Sequence, residues 1–258
     1  MADGDVREDR RMPVTSSAPP RGAPPIRGLT LDAMGCLVTM RDPVPAIGRL
    51  LADRGTPRPE ALIAVALRRE IGFYKAHHLE ARDPDALRAL QVRAAGVLAH
   101  GLGLEPAEDR RPRAAAHPDA AGTAATGIEV VPVDDAFVDG FLAALEFVPL
   151  AGVLDALERL HAADVPMVCV SNWDSGLPGH LERLGIGRFL RGTVASGAIG
   201  VAKPDPRIFD PAVALLDLPR EAIAHLGDEP VDRDGAVAAG LRFLAPPVAT
   251  LPERLGLV

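Results

Sequence analysis

"AIAHLGDEPVDRDGAVAAGLRFL", residues 222–244, decides the fold. "AIAHLGD" (222–228) reads as a buried strand, "DRDGAVAAGL" (232–241) as a helix and "RFLAP" (242–246) as a second strand. Two strands joined through a helix run parallel. Upstream the same rhythm repeats. "DPRIFDPAVALLDL" (205–218) is expected to form one helix, with Asp205 and Pro206 as starters, and "GTVAS" (192–196) a short strand. "LPGHLERLGI" (177–186) is helical, "VPMVCVSN" (165–172) is a strand ending in polar residues, and 152–163 is an amphipathic helix. Such alternation implies an α/β fold with a parallel sheet and helices on both faces. Ligands of such sheets bind beyond the carboxyl ends of the strands.

The remaining strand stands far upstream. "LTLDAMGCLV" (29–38) is a buried run ending in Asp32, with a turn at Gly35. Between it and residue 148 the spacing is helical, over 46–54, 59–78, 84–100 and 134–145. In 59–78 the apolar face is read as Leu62, Val65, Ala66, Arg69 and Phe73. Lys75, His77 and His78 are read as a solvated helix end, since cations favour helix C-termini, and Phe73 and Tyr74 as helical core. The expected organisation is a disordered tail at 1–26, an α/β core at 27–42 and 148–258, and a helical cap at 43–147. Within the cap, about 106–127 ("PAEDRRPRAAAHPDAAGTAATG") reads as a flexible insertion.

Composition narrows the function. The 258 residues carry a net charge of −7, which argues against a nucleic-acid partner, since neutralising phosphates needs a basic face. No run reaches the about 18 apolar residues that span a bilayer. The first 25 residues hold no apolar stretch and several acids, so neither a signal nor a transit peptide is expected, and the expected location is cytoplasmic. The two cysteines, Cys36 and Cys169, lie in apolar strand-like sequence and read as small buried hydrophobes.

Polar clusters recur where strands end: Asp32, then Ser171-Asn172, then Lys203-Pro204-Asp205, then Gly227-Asp228 with Asp232. Each alone is an ordinary turn or cap; their order is what points to a site. The motifs "VCVSNWD" (168–174), "VAKPDPRIF" (201–209) and "HLGDEPVDRDGAVAAGLRFL" (225–244), with Asp32 before them, resemble the haloacid dehalogenase superfamily over residues 27–258. The nearest subgroup in flavour is that of haloacid dehalogenase-like hydrolase domain-containing protein 3. The resemblance implies a Rossmann-like core with an inserted all-helical cap. It implies a phosphatase of small phosphorylated metabolites, with Asp32 attacking phosphorus and forming an aspartyl-phosphate that water hydrolyses. Ser171 would donate to a phosphoryl oxygen and Lys203 would neutralise charge. Asp32, the Met34 carbonyl and Asp228 would hold Mg2+, with Asp232 acting behind them or through water. Asn172 and Trp173, or Asp174 beside them, would face substrate.

Met34 departs from the pattern. The phosphatases of this superfamily usually carry an aspartate there that protonates the leaving oxygen and activates water. Losing a general acid–base costs about 10²–10⁴-fold. Two other readings therefore stay open. A 2-haloacid dehalogenase releases halide, which needs no proton, although three clustered carboxylates suit a metal better. A catalytically impaired protein of this fold would bind a phosphorylated ligand or a partner and turn it over slowly or never.

Overall fold

The computed structural model describes residues 25–104 and 129–257. The expected flexible insertion at 106–127, and the expected tail apart from Pro25 and Ile26, lie outside the described residues.

The chain opens with β1 (Gly28–Leu31) and β2 (Val38–Met40), then climbs into α1 (Val44–Asp53), α2 (Glu60–His77), α3 (Pro84–Gly101) and α4 (Asp135–Ala144). It returns through β3 (Phe147–Pro149) to α5 (Val153–Ala162), β4 (Met167–Ser171), α6 (Leu177–Arg183), β5 (Gly192–Ala195) and α7 (Ser196–Ile199). The last part is α8 (Asp210–Leu216), β6 (Ile223–Leu226), α9 (Pro230–Ala238), β7 (Arg242–Leu244) and α10 (Leu251–Arg254). The sheet order is β5-β4-β1-β6-β7 and all its pairings are parallel. Every residue of β1, β4 and β6 is buried, as central parallel strands covered on both faces must be. The pleat divides β4 between two cores. Met167 and Cys169 pack with Leu157 and Leu160 of α5, while Val168 and Val170 pack with Phe209 and with Leu216 of α8.

Helices α1 to α4 have an apolar cluster of their own, built on Ile47, Leu51, Ile63, Leu98, Phe137 and Phe141. Asp83 and Asp134 start α3 and α4 by accepting from Ala86 N (2.9 Å) and Phe137 N (2.7 Å). This helical insertion hangs from the sheet by the antiparallel ribbon of β2 and β3, paired Val38↔Pro149, Thr39↔Val148 and Met40↔Phe147.

Two sequence expectations are corrected. Residues 205–218 do not form one helix: a 3-10 turn, Pro206–Phe209, precedes α8. Pro211 has no N–H to bond back into the preceding turn, so the helix restarts there. The apolar face of α2 is also rotated from the one expected. Ile63, Ala66, Leu67, Glu70 and Phe73 are buried, whereas Val65 is 38% exposed.

Candidate active site

The predicted residues converge beyond the carboxyl end of the sheet. Asp32 follows β1, Ser171 ends β4, Asp228 follows β6, and Lys203 comes from the loop after α7. Lys203 Nζ donates to Asp32 Oδ1 and to Asp232 Oδ1, each at 2.5 Å, and to the Val170 carbonyl at 3.1 Å. All three protons of the ammonium are thus spent. Asn172 fixes the lysine's backbone: its Nδ2 donates to Lys203 O (3.0 Å), and Lys203 N donates to its Oδ1 (2.8 Å). The amide expected to meet substrate is therefore occupied in holding Lys203.

Gly35 makes the turn after Asp32. Its φ of 77° is one that side chains disfavour, and a Cβ there would collide with the Asp228 carboxylate. That close approach lets Asp228 face Asp32. Ligand atoms of Asp32, Cys36 and Asp228 lie within 4.8 Å of one another. Asp232 stands elsewhere. Its Oδ1 faces Lys203 and, at 3.2 Å, His225 Nε2, while its Oδ2 accepts from Glu229 N at 2.9 Å. His225 is steadied in turn by Thr30 Oγ1, 3.0 Å from its Nδ1, across the Thr30↔His225 register of β1 and β6.

Charge follows from these contacts. Burial raises the pKa of Asp32, against the pull of Lys203. Burial would raise Asp232 too, but the His225 hydrogen bond and the Lys203 charge hold it well below the usual carboxylate range. Burial works against charge on Lys203, yet Asp32 and Asp232 outweigh it and raise its pKa. Burial and the neighbouring Asp32 and Asp228 push the Cys36 thiol up, so it stays protonated.

Above the site a cavity of about 1000 Å³ opens between sheet and helical insertion. Met34 lines it at 38% exposed, as do Ser171, Trp173 and Asp174. The Ser171 side chain makes no hydrogen bond to a described residue. Trp173 is buried, edge-on to Phe147 at 5.0 Å.

The helix-rich chain matches the family described as "Hydrolase: haloacid dehalogenase-like hydrolase" over residues 26–240. The chain belongs to the haloacid dehalogenase-like hydrolase family. Human "Haloacid dehalogenase-like hydrolase domain-containing protein 3" is 31% identical over 113 residues, 43% of this chain and 45% of that protein. A "Phosphoglycolate phosphatase" of Mesorhizobium japonicum is 26% identical over 98 residues, 38% of this chain and 43% of that protein. The matched stretch thus spans less than half of either relative. Among solved structures, a Thermotoga maritima protein assigned as a beta-phosphoglucomutase superposes with a TM-score of 0.60 at 16% identity, over 90% of this chain and 100% of that one. L-2-haloacid dehalogenase from Xanthobacter autotrophicus does so with 0.56 at 18%, over 84% and 76%. Identities this low carry the fold alone. No helix among the described residues of this haloacid dehalogenase-like hydrolase is long and apolar enough to cross a membrane.

Sequence reasoning missed part of the cavity wall. His78, expected in solvent, is only 9% exposed, because the chain turns there from α2 into a 3-10 turn packed on the core. Tyr74 lines the cavity and donates to Asp174 Oδ2 at 2.7 Å. Glu70 is 5% exposed and has no hydrogen-bond or ion-pair partner among the described residues. Burial pushes its pKa up to about 8. A carboxyl whose folded pKa exceeds its unfolded value adds stability below the unfolded pKa, and that stability is lost as pH rises through the folded one. Between pH 5 and 9 the unfolding free energy should therefore fall by a few kcal/mol. Glu70→Gln should flatten the fall. Urea denaturation across that range checks it, and superimposable profiles for the two proteins would refute it.

Proposed function

We propose that this hydrolase is a Mg2+-dependent phosphatase of small phosphorylated metabolites, acting through an aspartyl-phosphate on Asp32. The reading is carried by the carboxylates of Asp32 and Asp228, which face one another while Lys203 occupies the other side of Asp32. A buried carboxylate, Asp32, and an exposed one, Asp228, so close repel unless a cation lies between them. The donor set fits Mg2+, a hard ion that takes oxygen ligands: Asp32 and Asp228 supply them, and Cys36, held as a thiol, does not compete. The Met34 carbonyl is a third ligand by family resemblance. Bound there, Mg2+ would neutralise phosphoryl oxygens and hold them in line with Asp32. The relative named phosphoglycolate phosphatase supports a phosphate ester as substrate.

The residues then divide the work. An oxygen of Asp32 forms the bond to phosphorus as the bond to the leaving oxygen breaks. Ser171 donates to a phosphoryl oxygen, and Lys203 balances the charge gathering there. Asp232 and His225 keep Lys203 aimed at Asp32, and Asn172 keeps its backbone in place. Water then attacks phosphorus, releases phosphate and restores Asp32. Calorimetric titration should find one Mg2+ site that Asp228→Ala removes. A titration without heat, in a protein whose activity survives a chelator, would instead favour a haloacid dehalogenase, the reading that Met34 itself favours.

Met34 sets the leaving-group preference. A thioether neither gives nor takes a proton, so the leaving oxygen departs unprotonated. Aryl and acyl phosphates, whose leaving groups are stable anions, should turn over, and alkyl phosphates poorly. Met34→Asp should raise alkyl phosphate hydrolysis by about 10²-fold and shorten the life of the aspartyl-phosphate. Burst and steady-state kinetics on both proteins measure this. Efficient alkyl hydrolysis by the unmutated protein, with no gain from Met34→Asp, would assign the proton to another residue, with Asp174 the next to mutate.

A further inference from the structure

The cavity of about 1000 Å³ is far larger than a phosphoryl group requires. Opposite Asp32 and Lys203, its wall on the helical insertion carries Glu70, Tyr74 and His78. Their spacing of i, i+4 and i+8 stacks them on one face of α2 and its continuation.

The hydrogen-bond inventory of that face is incomplete. The Tyr74 hydroxyl is spent, donating to Asp174 Oδ2 at 2.7 Å and accepting from Asp174 N at 3.3 Å. His78 Nδ1 lies 2.9 Å from the Lys75 carbonyl, so it carries the ring proton. Nε2 is then an acceptor, and it is buried without a hydrogen-bond partner among the described residues. Glu70, 5% exposed, has no hydrogen-bond partner among the described residues either, and as a neutral carboxyl it brings a carbonyl acceptor and an O–H. The cations that line the cavity are engaged, Arg183 with His180 Nδ1 at 2.8 Å. Lys203 is bound to Asp32 and Asp232, and Lys75, far out in solvent, pairs with Glu229 at 3.6 Å. Buried polar groups left without partners on a cavity wall are satisfied by what enters the cavity.

We infer that this face of α2 is the subsite for the leaving group, and that the preferred phosphate ester bears an amine whose ammonium is taken by Glu70, with His78 Nε2 accepting from a neighbouring N–H or O–H. The inference rests on the phosphatase reading and narrows its substrate class. Burial keeps Glu70 largely neutral in the free protein; an arriving ammonium lowers its pKa, the carboxyl proton passes to solvent, and the carboxylate accepts a charge-assisted hydrogen bond from the ammonium.

The test uses matched ligands that differ in the amine alone: O-phosphoethanolamine against ethyl phosphate, and glucosamine 6-phosphate against glucose 6-phosphate. Binding is measured by calorimetry with Mg2+ in an Asp32→Asn background, which cannot attack phosphorus. In at least one pair the amine should tighten Kd by roughly 10- to 100-fold. Adding Glu70→Gln should erase that preference while leaving the amine-free ester unchanged, which also reports that the cavity is intact. Equal binding within both pairs overturns the subsite and leaves the phosphatase standing. A preference that survives Glu70→Gln also overturns it. No binding of any ester, by the Asp32→Asn variant or by the unmutated protein with Mg2+, overturns both readings together.

Discussion

Asp32→Asn should lower turnover of every phosphate ester by at least about 10⁴-fold, the scale on which removal of an attacking nucleophile is felt. An amide oxygen lacks the charge to attack phosphorus. The fold should survive, because the substitution preserves size and Lys203 retains Asp232 and the Val170 carbonyl. The melting curve of the variant should overlay that of the parent. Acid-quenched mass spectrometry adds a direct readout: the parent, given an aryl phosphate, should carry a phosphoryl adduct on the peptide containing Asp32, and the variant none. Residual activity within tenfold, or an adduct mapped to another residue, would sink the covalent route.

Lys203→Met should carry the largest cost in stability. The lysine side chain is 2% exposed, and its loss leaves two buried carboxylates without their cation. Breaking a buried ion pair from one side costs about 3–5 kcal/mol, which lowers Tm by roughly 10 °C in a chain of this size. Asp232 keeps His225 and the Glu229 N–H, so the burden falls on Asp32. The pKa of Asp32, already raised by burial, should rise further once the opposing lysine is gone. A carboxyl with a raised folded pKa is harmless when protonated and costly when ionised. The loss should therefore be smaller at pH 5 than at pH 8. Denaturation midpoints at both values decide the matter, and a uniform or negligible loss would show that Lys203 does not neutralise Asp32.

What the sequence discloses depends on how local the cause is. The central strands announce themselves because burial on both faces demands unbroken apolar runs such as "VPMVCV". The polar residues at their ends stand out against those runs, so Asp32, Ser171 and Asp228 are readable in advance, while Lys203 is readable from its Lys-Pro-Asp motif and stands in the loop after α7. The ribbon of β2 and β3 is not. Each strand has three residues, one of them ends in a proline, and their partners lie more than a hundred positions apart. The face of α2 is misjudged for a related reason. Both candidate stripes share Ala66 and Phe73, and the true one contains an acid, Glu70, which periodicity counts as polar. The partners of Asp232 follow from the Thr30↔His225 register, which exists only once β1 and β6 are aligned.

That ribbon has an evolutionary and engineering consequence. The chain leaves the core at Val38–Met40 and re-enters it at Phe147–Pro149, and these strands lie side by side. Segments whose ends meet are the ones a domain can exchange without rethreading its core, since a short connection closes the same gap at little entropic cost. Asp32, Lys203 and Asp228 all belong to the part that stays behind. The insertion can thus be exchanged as a cassette, leaving the cluster of Asp32, Lys203 and Asp228 in place.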